Sequence, residues 1–276
     1  MAMNSKPNRP AALASQALAA TLLIVAAPAH AQVSISPGST WALGGGTLDH
    51  GCTALQVGGT AQVDSGQWTG MTDVSLTTPS GTLHGGSGVL ALSGQFGGGA
   101  GFVPGMGTVR MGDGCGSAGA GIGAATGFYT LEVATAQGRT LTLPAGAAVS
   151  IAHRLALTGA PGQLLRLRSS SPGQAAITAL QPGASQSVAY VQVSDNHATA
   201  QPIAPGPAAQ YQSVQGGNVQ QWFAGAGNNP GSPGGAVPVP ALGPWGVPVL
   251  GALLAGLAGW RRRGVALFLG SRRGQG

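Results

Sequence analysis

Lysine occurs once in the 276 residues, at Lys6, and only six acidic side chains are present. The formal charge of +6 sits at the two ends, in Lys6 and Arg9 before the first apolar run and in Arg261, Arg262, Arg263, Arg272 and Arg273 after the last. Between them Arg110, Arg139, Arg154, Arg166 and Arg168 face Asp49, Asp64, Asp73, Asp113, Asp195 and Glu132, a body with one net negative charge. A nucleic-acid groove needs clustered cations, so that class of partner is set aside. The acids are isolated, which leaves no adjacent carboxylate pair for hydrolysis and no oxygen cluster for calcium. No histidine or cysteine lies at ligand spacing near Cys52 or Cys115, so no metal is predicted. A body without lysine also lacks one common general base. No catalytic residue and no cofactor are predicted.

Long amphipathic spacing is missing too: no stretch between the apolar ends carries the period of a helix. Disorder is a poor alternative, because it accompanies low hydrophobicity and high net charge, whereas 43% of this chain is hydrophobic. Fifty glycines instead imply many tight turns. About 205 residues between the two apolar ends are enough for one domain with a real core.

Met1 to Ala31 has the layout of an export signal. Lys6 and Arg9 form the positive start, Ala11 to Ala27 the apolar run, and Ala29-His30-Ala31 the small-x-small site, predicting cleavage between Ala31 and Gln32. Signal peptidase and the export machinery are the implied partners. From Gln32 to about Gly127, short apolar segments alternate with glycine turns: Ala54 to Val57, Ala61 to Val63, Val74 to Leu76, Val89 to Leu92 and Val109 to Met111.

Beyond these, period-two alternation is clearer. Leu141 and Leu143 alternate with threonines, Leu165 and Leu167 with Arg166 and Arg168, and Ala189, Val191 and Val193 with Tyr190 and Gln192. Tyr129, Leu131 and Val133 are expected on one face opposite Glu132, and Val149, Ile151, His153, Leu155 and Leu157 on another. His153 reads as a core histidine, and His197, after the turn-forming pair Asp195-Asn196, as a residue at a strand end. Many short strands without helices predict an all-β body, either a parallel β-solenoid or a β-sandwich.

Cys52 and Cys115 are the only cysteines. Export places them in an oxidising compartment, so they are expected to pair.

The C-terminus begins with a 224–236 spacer of Gly, Pro, Asn, Ser and Ala without charge. Val239-Pro240-Ala241-Leu242 follows, then Trp245-Gly246, an uncharged run to Trp260, and Arg261-Arg262-Arg263. As a helix, Trp245 to Trp260 covers about 24 Å, short of the roughly 30 Å of bilayer hydrocarbon. The three arginines would hold that end in the cytoplasm. These residues resemble the IPTL-CTERM sorting signal of Gram-negative bacteria, a relative of the PEP-CTERM type. Val stands for Ile and Ala for Thr, and residues 264–276 extend past the basic cluster where such tails usually stop. The resemblance implies a C-terminal transmembrane helix in the inner membrane, an exosortase-like sorting enzyme as partner, and delivery of the body to the cell surface.

A second resemblance concerns residues 40 to 225. Phe102-Val103-Pro104-Gly105-Met106-Gly107-Thr108-Val109, Leu157-Thr158-Gly159-Ala160-Pro161-Gly162 and Tyr190-Val191-Gln192-Val193-Ser194-Asp195-Asn196 look like a module of bacterial surface proteins with β-helix-like bodies. It implies a repeat-like surface body with no assigned catalytic residue. The expectation is therefore a non-enzymatic, surface-displayed structural or adhesion-type protein that contacts extracellular polysaccharide or other surface proteins. A β-helix polysaccharide lyase or glycosidase is the alternative. It would need an acid or base assembled from distant strands, such as Asp64 or Asp73 with Arg110.

Overall fold

The computed structural model describes residues 32–116 and 119–223. The export signal expected at Met1 to Ala31, the 224–236 spacer, the 237–263 tail with the transmembrane helix expected there, and residues 264–276 lie outside the described residues. Among the described residues no helix is long and apolar enough to cross a membrane. Two short 3₁₀ turns, Gly99–Gly101 and Ala208–Tyr211, are the only helical elements described.

The body is a parallel β-solenoid of about eight coils, the first of the two architectures the alternation allowed. Each coil lays one strand on each of three faces. The first face stacks Gln32–Ile35, 54–57, 74–76, Gln95–Gly97, Gly119–Ile122, Thr140–Leu143, Leu165–Ser169, Val191–Val193 and Val214–Gln215, all parallel. The second face begins with Thr40–Ala42, Thr60–Gln62, Thr82–His84 and Phe102–Val103. It resumes with 126–128, 149–151, Ala176–Leu180, Asn196–Ala200 and Val219–Gln220. The third face stacks 47–49, 67–69, Val89–Leu92, Thr108–Met111, 130–134, 154–158 and Ser185–Ala189.

Alternation decides what fills the centre. Leu141 and Leu143 on the first face, Ala61 and Leu83 on the second, and Trp68, Leu90 and Val109 on the third all point inward and are buried. Their alternate neighbours, such as Thr142, Arg166 and Arg168, point outward. Stacked positions thereby form apolar columns, with Phe96, Phe102 and Phe128 in mutual ring contact at 4.9 to 5.8 Å.

In the first four coils the corner between the second and third faces is one turn, copied. Gly66 N–H donates to Val63, Gly88 to Gly85 and Gly107 to Pro104, while Ser65, Ser87 and Met106 each donate to the turn of the preceding coil. The second residue of every copy is left-handed: Gly44, Asp64, Gly86 and Gly105 have φ of 69, 55, 60 and 58°. At Gly86 the requirement is double, because a Cβ there would also lie 2.3 Å from the Asp64 carbonyl oxygen below it.

Two expectations fail at this corner. Thr130 and Leu131 are consecutive buried residues where the chain bends, which reverses the phase and turns Tyr129 outward, away from the side of Leu131 and Val133. One coil later the shift between Ile151 and Arg154 leaves His153 exposed, so it is not a core histidine. His197 also differs from expectation. Asp195, at φ 48°, makes the corner, and Asn196 and His197 begin a strand that pairs on both sides.

Candidate functional site

Cys52 lies at the corner between the third face of coil one and the first face of coil two, and Cys115 at the same corner three coils on. Coils stack at about 4.8 Å, so three of them span roughly 14 Å. The two Cα atoms are nevertheless 5.3 Å apart and the sulfurs are bonded. The chain after Gly112 therefore runs back along the corner to reach Cys52. Gly51 and Cys52 both take positive φ where they meet it.

Arg139 continues this seam. The residue is 4% exposed, and its guanidinium donates to the carbonyls of Ser93, Gly112 and Gly119, which belong to three different segments of the same corner. Asp113 lies 3.8 Å away and its charge opposes the lowering that burial imposes on the arginine's pKa. The same Asp113 accepts from Ala136 N–H at 2.7 Å and from Thr135 Oγ1 at 3.1 Å. Disulfide and arginine overlap at residues 112–115 and together tie coils one to six along one edge.

All six carboxylates of the body are used in the framework. Asp49 accepts from Gly51 N–H, Asp64 from Gly44 N–H in the coil below, and Asp73 from Gln95 N–H in the coil above. Asp195 accepts from the Asn218 amide of the next coil, which also donates to the Gly173 carbonyl. Glu132 pairs with Arg110 across the third face at 3.0 Å. Asp64 and Asp73 sit at different corners, and Arg110 pairs with Glu132 rather than with either, so the structure does not assemble the acid-base group considered for a lyase.

The histidines fall at separate places. His50 is 8% exposed, edge-on to Trp68 at 5.9 Å between ring centroids. Burial holds its pKa below the usual histidine value, with the Asp49 charge opposing. Tyr129 and His153 stack face to face at 4.7 Å on the outside of the corner between the second and third faces. His197 Nε2 lies 3.1 Å from Asn218 Oδ1. Among the described residues no three His, Cys, Asp or Glu side chains are grouped to hold a metal ion.

Sequence reasoning missed the last coils' polar core. Asn196 is fully buried, and its Oδ1 accepts from Thr178 Oγ1 at 3.0 Å and from the indole Nε1 of Trp222 at 2.8 Å. Ile203, Trp222 and Phe223, all at most 2% exposed, close that end. The available signal was the Gln221-Trp222-Phe223 aromatic pair following a long polar stretch.

Of the remaining predicted positions, Gln32 is the first described residue and opens the first strand. Ala31, Val239, Pro240, Ala241, Leu242, Trp245, Gly246, Arg261, Arg262 and Arg263 lie outside the described residues. Residues 237–264 match the IPTL-CTERM motif. No curated protein matches the chain, and no solved structure does. The motif is a C-terminal sorting signal of exported proteins and implies processing by a sorting enzyme of the exosortase family.

Proposed function

From the sorting motif that ends the chain, we propose that the protein is a non-enzymatic surface component whose solenoid is displayed outside the cell. Signal peptidase removes residues 1–31, and the apolar run of the tail holds the intermediate in the inner membrane with Arg261 to Arg263 on the cytoplasmic side. The sorting enzyme then acts on the tail and the body passes to the surface. There it makes structural or adhesive contacts with extracellular polysaccharide or other surface proteins through its outward Thr, Ser and Gln rows, such as Thr60 and Thr82, hydroxyl to hydroxyl at 3.1 Å.

The observation that carries the sorting role is the match at residues 237–264. The non-enzymatic role is supported by the acids, each bonded within the framework and none beside another. Deleting residues 237–276 is expected to move the body from the cell surface to the periplasm or medium, read by fractionation and surface labelling. A truncated protein still displayed on cells overturns the sorting role. Incubating the purified protein with a panel of bacterial and plant polysaccharides tests the other half, and new reducing ends or unsaturated products would sink it.

A further inference from the structure

The two ends of the solenoid are finished differently. At the last coil Trp222, Phe223 and Ile203 are covered. Strands at both ends pair on one side only, Val214–Gln215 and Val219–Gln220 at the last coil and, at the first, Gln32–Ile35, Thr40–Ala42 and the segment 47–49, but the first coil has no such aromatic closure among the described residues. Three free parallel edges therefore point along the axis. Of the side chains that continue the core columns at this level, Ile35 is buried but three others are left open. Trp41 stacks in register with buried Ala61, Leu83 and Phe102, yet is 44% exposed. Val33 and Leu48, beneath buried Leu55 and Trp68, are only partly covered.

Open edges are usually blunted by lysine or other charges. From Gln32 to Leu48 there is no charged residue at all.

We propose that this first coil is a docking face for the first coil of a second copy, the two bodies meeting end to end about a twofold axis. The inference rests on the proposed cleavage after Ala31: with Gln32 as the mature N-terminus, no preceding chain remains to cover the edge. A second copy fits better than a lone strand of another protein, because it supplies three edges on the same three-sided section where a peptide supplies one. Flipping a copy reverses its strand direction, so the joint is antiparallel, and the contact is self-complementary and closes at two copies. Both Trp41 rings become covered. Asp49 is the one charged side chain on the three edges, so a face meeting its own copy brings little like-charge repulsion.

The test uses the full chain in an exporting Gram-negative host, with the photo-cross-linker benzoylphenylalanine in place of Ser34, and in place of Gln215 at the other end as a control. Irradiation is expected to give a homodimer adduct from position 34 and none from 215. Trp41→Glu should lower the adduct more than tenfold while the Cys52–Cys115 bond, read by non-reducing mobility, stays formed. The idea is overturned by no adduct at position 34, by equal adducts at both positions, by an adduct to a different protein, or by indifference to Trp41→Glu. Mass spectrometry of the mature N-terminus separates the two layers. A start other than Gln32 removes the export reading and this inference with it, whereas a Gln32 start without the adduct removes only this inference.

Discussion

In the first four coils, stacked partners lie 18 to 22 residues apart, as at Thr53 and Met71, at Thr40, Thr60 and Thr82, or at Leu83 and Phe102. From the fifth coil to the seventh the interval widens, reaching 31 residues between Leu155 and Gln186, and it narrows again to 20 to 23 residues around Asn196 in the last coils. A tight repeat leaves no slack at the corners, so backbone is pressed on backbone and the turn at 63–66, 85–88 and 104–107 recurs almost unchanged. Where the interval is long, turns swing clear of the stack: the left-handed Gly162, Gly173 and Gly183 have nothing within 4 Å of an added Cβ. The early coils hold their edge with a disulfide and a buried arginine, and the late coils with Asn196 and the aromatic end. One section is thus maintained by close backbone contact and staples, and the other by side-chain packing with freely placed loops.

Breaking the staple is the largest perturbation. Replacing Cys52 and Cys115 with alanine opens a loop of 63 residues, which on the chain-entropy model costs about 4 kcal/mol. Chemical denaturation should show that loss, and hydrogen exchange should rise first in coils one to four while the Asn196 region stays protected. Equal loosening at both ends would contradict the division.

Glycine substitutions sharpen the contrast. Gly183→Ala meets only the backbone cost of a left-handed alanine, about 1 kcal/mol. Gly86→Ala meets that cost plus a collision with the Asp64 carbonyl, and overpacking of this kind adds about 1–3 kcal/mol. Denaturation midpoints of the two variants compare them directly, and similar losses would remove the distinction.

The smallest effect is a pH dependence in the first coils. His50 binds its proton less readily in the folded than in the unfolded chain. Its contribution to stability is therefore fully present above the ordinary histidine value of about 6.5 and declines as pH falls from there toward the lowered folded value. Unfolding midpoints measured between pH 7.5 and 5.5 should fall with acidification, and His50→Phe should flatten the slope.

Much of this organisation was legible in the residues. Leu165-Arg166-Leu167-Arg168 and Thr140-Leu141-Thr142-Leu143 could be assigned to half-buried strands because a flat face preserves period two. The pairing of Cys52 with Cys115 followed from compartment and number. Corners were the blind spot. A bend without a glycine gives no local signal: at Thr130 it inverts the phase, and at Ala152 to Arg154 it turns three consecutive residues outward before the same alternation resumes at Leu155, which is why Tyr129 and His153 were assigned to the wrong side. Arg139 and Asn196 were hidden for a different reason: their partners are carbonyls and side chains of neighbouring coils, up to 46 residues away for Arg139 and Ser93. The corner ladder itself was visible as Gly66, Gly88 and Gly107, each preceded two residues earlier by Asp64, Gly86 or Gly105, a recurrence read only as turns.

That ladder has an evolutionary consequence. An in-frame duplication of one early unit, such as the stretch from Gly66 to Ser87, would arrive with its own bend and with donors already matched to the neighbours above and below. The height of the molecule can therefore grow or shrink in increments of about 4.8 Å, each gained by one recombination event and none requiring a newly invented corner. Reach becomes a heritable, countable quantity.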